Sequence, residues 1–244
     1  GEKSWPKNYE FCGGVYQSPI DIHQDILQYD SSLQPVKLNG YNVSPAESFT
    51  LSNNGHTVYF FVVVQMSLVP TMQIKIAPFH YTASQLHLHW GQRGTQKGSE
   101  HCIEGKSVKL RGYQYIYVKS LTFSVYRYLL FISTILIDKG NIIKLIPGLM
   151  PSVGYQSVQI AGFNVQELLP KRLDEYYRYE GSLTTPPCYP SVLWTVFRNP
   201  VTISEEQLIT LETALYSTDR NESVQMTNNY RQLQPHGDRL VSVS

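Results

Sequence analysis

The chain has 244 residues, 42% hydrophobic and 16% charged, with a formal net charge of +1. That length fits one large sheet-rich domain, residues 1–244, better than two small ones. The composition excludes a disordered polymer, and the near-zero charge gives no nucleic acid a reason to bind.

In chain order, the opening "GEKSW" lacks a methionine and shows no signal peptide, so it reads as processed or trimmed. Turn signals at "LNGYN", "NNGH" and "GQRGTQKG" separate short β-like segments, the pattern of a sheet with hairpins. The apolar runs "YFFVVVQMSLV" (from Tyr59) and "YLLFISTILI" (Tyr128 to Ile137) fall short of the roughly 20 residues of a membrane-spanning helix. They read as buried strands.

The stretch "QLHLHW", Gln85 to Trp90, carries two histidines two residues apart. On a strand, alternate side chains share a face, so His87 and His89 can converge on one metal ion. A catalytic zinc ordinarily takes three protein ligands and keeps a fourth position open. The segment "HLHWGQRGTQKGSEH" reads as strand, turn, strand, which returns Glu100 and His101 beside the two histidines. Further on, "NVQELLP" reads as a helical turn ended by Pro170. "SEEQLITLETALYS", residues 204–217, reads as a helix with Ser204 as N-cap, Gln207 at the capping-box position, and Leu208, Leu211 and Leu215 on one apolar face. The class is therefore α+β, dominated by strands with peripheral helices.

His-x-His alone is a weak signal; its setting strengthens it. "NNGH" places His56 in a turn, "SEH" sets a carboxylate beside an imidazole, and "GSLTTPPC" puts two hydroxyls before a rigid Pro186-Pro187 pair. His101 reads as a structural, hydrogen-bonded histidine, and His23, His80 and His236 as surface or packing residues. Cys12, Cys102 and Cys188 allow one disulfide and one free thiol without saying which pair forms. The triplets "NVS" at Asn42 and "NES" at Asn221 are glycan acceptors only in a secreted chain.

Seven motifs together resemble the α-class carbonic anhydrases: "QSPIDI", "NNGH", "QLHLHWG", "GSEH", "GSLTTPPC", "VLWTVF" and "NNYRQLQP", in the family's order and at roughly its spacing. They cover about the first hundred and last eighty residues. The resemblance implies one domain on a large, mostly antiparallel twisted sheet, with a conical site whose floor holds Zn2+. It implies reversible hydration of carbon dioxide to bicarbonate and a proton, and sensitivity to sulfonamide-type inhibitors. His87 and His89 match two of three zinc ligands, and Gln85 a partner of the first. Thr184 matches the threonine that accepts a hydrogen bond from zinc-bound hydroxide, and Glu100 the carboxylate that takes that threonine's proton. His56 matches the proton shuttle. Thr185 lies beside Thr184, and Leu183, Val192, Trp194 and Ile132 match the apolar wall around carbon dioxide.

"YYRYEGSLTTPPC" and "LETALYST" look most like the extracellular, membrane-anchored branch of that family. This implies a Cys12–Cys188 disulfide, an oxidising compartment, a free Cys102, and any membrane anchor lying outside this chain. The block from about Cys102 to Gln159 resembles the family poorly. Counted without gaps from His101, Tyr113 falls where the third ligand histidine is expected, Arg111 where a carboxylate braces a ligand, and Tyr115 on the wall. The alternative function is a zinc-less carbonic anhydrase-related protein that keeps the fold as a binding module.

Overall fold

The computed structural model describes residues 2–53, 64–76, 79–83, 85–92, 98–105, 128–132, 156–199, 209, 213, 216–219, 222–225 and 227–244. Strands dominate them. The sheet that matters most for the site runs β10 (Tyr128–Ile132), β13 (Val192–Phe197), β12 (Tyr176–Gly181), β16 (Val241–Val243) and β2 (Leu27–Tyr29). Its pairing is mixed: β12 is antiparallel to both β13 and β16, whereas β10 lies parallel to β13 and β2 parallel to β16. A second, antiparallel sheet runs β11 (Gln156–Ala161), β4 (Ser48–Asn53), β5 (Val64–Ser67) and β8 (Gln85–Leu88). A third joins β3 (Lys37–Asn39), β6 (Gln73–Ile76) and β7 (Phe79–Thr82).

The apolar content of β12 and β13 explains their place. Both are buried along nearly their whole length, because each face meets a different core. Tyr177, Tyr179, Val192, Trp194 and Val196 pack with Ile20, Ile22, Ile26 and Val241 on one face. Tyr176 and Phe197 alternate to the other face and join Phe49, Leu51, Met66, Leu86 and Trp90. A strand buried on both sides needs a continuous apolar run, which "VLWTVF" supplies. In β6 the pattern is instead exposed, buried, exposed, buried, the alternation of a strand with one face to water. The turn after β3 needs Gly40: its φ is +71°, and a Cβ there would come within 2.3 Å of the Thr71 carbonyl oxygen.

The N-terminal segment is a series of single turns, Glu2–Ser4, Trp5–Asn8 and Glu10–Gly13. It is fastened by the Cys12–Cys188 disulfide and by the packing of Trp5 and Tyr9 around that bridge. Cys102 is free and buried. The turn Val165–Leu168 forms as expected, capped by the Asn164 side chain, which accepts the Gln166 N–H.

Two expectations need correction. The "SEH" segment does not return as a hairpin partner of β8. Instead β9 (Cys102–Ile103) pairs in parallel with β1 (Asp21–Ile22), because Cys102 N–H donates to the Ile20 carbonyl and Glu104 N–H to that of Ile22. The helix over 204–217 is too long at its end. Ile209 and Thr213 are helical, but Tyr216–Asp219 forms strand β14, antiparallel to β15 (Glu222–Gln225). Tyr216 and Thr218 have strand propensity, and the cross-strand ladder outweighs continuation of the helix. Of "YFFVVVQMSLV", residues 64–67 are strand, and 59–63 lie outside the described residues.

Candidate active site

β8 sits beside β5, with Gln65 opposite His87. His87 is the third residue of β8 and His89 lies one residue past its end, so the pleat gives both the same facing. His87 Nε2 is 3.1 Å from Gln85 Oε1. His89 Nδ1 meets the Asn229 backbone carbonyl at 2.5 Å, while the Trp90 N–H donates to Asn229 Oδ1 at 2.7 Å. Carbonyl oxygens only accept, so each ring nitrogen that faces one donates to it. Removal from water, and then the neighbouring His89, push the His87 imidazole down to about 3. It is neutral at physiological pH.

A neutral imidazole held by an outer hydrogen bond, as His87 is, is the donor form that zinc takes. By residue type and by the outer hydrogen bonds that orient both rings, His87 and His89 fit a zinc ion as two of its ligands. Among the described residues no group of three His, Cys, Asp or Glu side chains converges on one point. Tyr113, Arg111, Tyr115 and His56 all lie outside the described residues.

Glu100 is 2% exposed. Its Oε1 lies 3.8 Å from His89 Nδ1 and accepts the Arg231 backbone N–H at 3.1 Å. The expected proximity of Glu100 to His89 is therefore met without the hairpin. Leu183, Thr184 and Thr185 are half-buried in the loop from Ser182 to Cys188, which contains a cis Pro186–Pro187 bond. Val192 and Trp194 are buried on one face of β13, and Leu183 packs against the same cluster. Trp194 Nε1 donates to the Ser182 carbonyl at 3.1 Å, which ties that wall to the start of the loop. Ile132 ends β10, opposite Val196 of β13.

His101 is buried, shares a 2.5 Å hydrogen bond with the Tyr179 hydroxyl and lies 4.8 Å from the Trp194 ring. Burial, and then the Arg239 guanidinium, push it down to about 3. Its setting is that of a structural histidine.

Four residues around the site carry no role in the sequence reading: Gln17, Ser182, Asn229 and Arg231. Asn229 bonds across 140 positions to His89, and Arg231 across 131 to Glu100. The signal for Gln17, Asn229 and Arg231 lay in "QSPIDI" and "NNYRQLQP", polar residues inside otherwise unexplained motifs, and that for Ser182 at the start of "GSLTTPPC".

The family model of eukaryotic-type carbonic anhydrases matches residues 1–244. Human carbonic anhydrase 12 is 46% identical over 256 residues, covering all of this chain and 71% of the relative. Human carbonic anhydrase 6 is 34% identical over 98% of this chain and 79% of its own length. Rat carbonic anhydrase 4 is 31% identical over 99% of this chain and 78% of its own. With imidazoles oriented on and just past β8, a buried carboxylate beside His89 and a match along its whole length, this chain belongs to the eukaryotic-type carbonic anhydrase family.

Proposed function

We propose that this chain catalyses the reversible hydration of carbon dioxide to bicarbonate and a proton with one zinc ion, at a site that sulfonamide-type inhibitors block. The observation that carries the reading is the pair of imidazoles held by outer hydrogen bonds, His87 on Gln85 and His89 on the Asn229 carbonyl, with buried Glu100 beside His89. His87 and His89 would hold the metal, with Tyr113 at the third-ligand position. Zinc, when bound, acidifies water to a pKa near 7 and so supplies a nucleophile at neutral pH.

The remaining work falls to the protein. Glu100, anchored by the Arg231 N–H, accepts a hydrogen bond from the Thr184 hydroxyl. Thr184 then has only lone pairs to offer and acts as acceptor toward the nucleophile. Leu183, Val192, Trp194 and Ile132 give carbon dioxide an apolar wall, and Thr185 contributes a polar edge. His56 carries the proton to buffer, since an imidazole near its ordinary value of about 6.5 both gives and takes protons at neutral pH. Cys12–Cys188 supports an extracellular setting, secreted or as an ectodomain whose membrane anchor lies outside the sequence given. There the acceptor triplets at Asn42 and Asn221 become available.

Metal analysis and stopped-flow carbon dioxide hydration on the purified protein test the reading. We expect about one zinc per chain and sulfonamide-sensitive hydration. No zinc together with no hydration would leave the zinc-less binding module, which Tyr113 favours.

A further inference from the structure

Thr184 and Glu100 must face each other for the proposed chemistry, yet neither sits on a strand. Glu100 precedes β9, and Thr184 lies in the 182–188 loop. Something other than a β-ladder fixes their spacing.

Gln17 is 4% exposed and reaches both ends of that loop. Its Nε2 donates to the Cys188 carbonyl at 3.2 Å, and its Oε1 lies 3.4 Å from Ser182 Oγ, whose one proton it shares with the Leu183 carbonyl at 2.9 Å. Gln17 Oε1 also accepts from Arg231 Nη1 at 2.8 Å. Arg231 in turn donates to the Ser18 carbonyl at 2.8 Å and the Cys12 carbonyl at 3.1 Å, and its own backbone N–H holds Glu100. Two residues therefore span the path from the Thr184 loop to the carboxylate. The start of the loop is also docked by a reciprocal pair: Ser18 N–H to Ser182 Oγ at 2.9 Å, and Ser182 N–H to Ser18 Oγ at 3.0 Å. That approach is close enough that a Cβ on Gly181 would come within 2.1 Å of Ser18 Oγ.

We propose that Gln17 is a positioning residue, whose amide sets the register between Thr184 and Glu100 by clasping both ends of the loop and Arg231 at once. The inference rests on the proposed roles of Thr184 and Glu100. Chemistry explains why an amide stands there. One end must face two donors and the other a carbonyl, and only an amide offers an acceptor and a donor at that spacing. Glutamate would keep the Arg231 contact and turn an oxygen toward the Cys188 carbonyl. Methionine would fill the space and lose every bond.

The test compares Gln17→Met and Gln17→Glu with Met72→Ala, a core truncation in the opposite cluster. Hydrogen exchange reports on the peptide spanning 182–189, where Leu183 N–H bonds to the Tyr189 carbonyl and Cys188 N–H to that of Thr185. Carbon dioxide hydration is measured on the same samples, well below their unfolding midpoints. In both Gln17 variants we expect loop exchange at least tenfold faster and kcat/KM at least tenfold lower. Met72→Ala should lose stability and change neither. Unchanged loop exchange, faster exchange with unchanged kcat/KM, or the same losses in Met72→Ala would each overturn the proposal. Should Gln17→Met fail to fold, Gln17→Glu carries the same comparison. If the parent protein hydrates no carbon dioxide, the proposed function fails, and the exchange comparison alone decides the clasp.

Discussion

Replacing Cys12 and Cys188 together by alanine should cost this domain several kcal/mol. The bridge spans a sequence separation of 176 residues. Loop-closure entropy grows with the logarithm of the loop, which for that separation gives about 5 kcal/mol at 25 °C. Measured losses of native disulfides run about 2–5 kcal/mol. The structure places this one toward the upper part of that range. Both cysteines are buried, at 5% and 0% exposure, so alanine also leaves small gaps beside Trp5 and Tyr9. Working against the full value, the Arg231 guanidinium still holds the Cys12 carbonyl in the folded state, as it does in the parent. Urea unfolding at pH 7 is the assay, followed by the fluorescence of buried Trp5, Trp90 and Trp194. With a slope of about 3 kcal/mol per molar urea, the midpoint should fall by about 1 M or more. Cys102→Ala, which removes a free buried thiol, is the control and should move it far less. A shift of the double variant no larger than the control's would refute the argument from chain closure.

Three other outcomes follow from the same structure. Arg231→Met should lose about 3–5 kcal/mol by calorimetry, since it strands the Gln17, Ser18 and Cys12 oxygens in a buried site. His101 should make the fold acid-labile: its proton affinity is lowered to about 3 in the folded state against about 6.5 unfolded, so its contribution is complete above pH 6.5 and is lost as pH falls toward 3. Urea titrations at pH 7, 5 and 4 should show a slope of up to about 1.4 kcal/mol per pH unit from this group, reduced in His101→Gln. Tyr113→His should raise zinc affinity at least tenfold in a competition assay with a chromophoric chelator, because it supplies a third imidazole where a phenol with a pKa near 10 must otherwise lose its proton to bind.

Local pattern carried the class of the fold and the shared facing of His87 and His89. Alternation alone puts His87 and His89 on one face, and that needs no knowledge of distant chain. Glu100 was placed correctly for the wrong reason: the hairpin expected after Trp90 is replaced by pairing of Cys102–Ile103 with Asp21–Ile22. No local signal distinguishes those two partners, since two short runs of similar apolarity compete for one edge. Tyr216 and Ser217 were read as helix because Leu208, Leu211 and Leu215 keep helical spacing up to them. The ladder with Val224 and Gln225 that claims them is invisible from within the run. Gln17, Asn229 and Arg231 went unassigned for a related reason. Each acts through a hydrogen bond to a residue more than 130 positions away, and a lone glutamine, asparagine or arginine carries no periodicity that would announce it.

The placement of β16 has a consequence for how the molecule comes into being. Among the described residues β2, made among the first thirty, joins its sheet only through β16, and β16 bridges it to β12. A nascent chain that has emerged through residue 200 already contains β10, β12 and β13, but among the described strands Leu27–Tyr29 has no neighbour in that sheet to pair with. The strand must wait for the last-made member of its sheet, more than two hundred residues later. Among the described strands this sheet is therefore completed last by β16, and a ribosome paused anywhere before Val241 holds a chain in which Leu27–Tyr29 has yet to meet its partner.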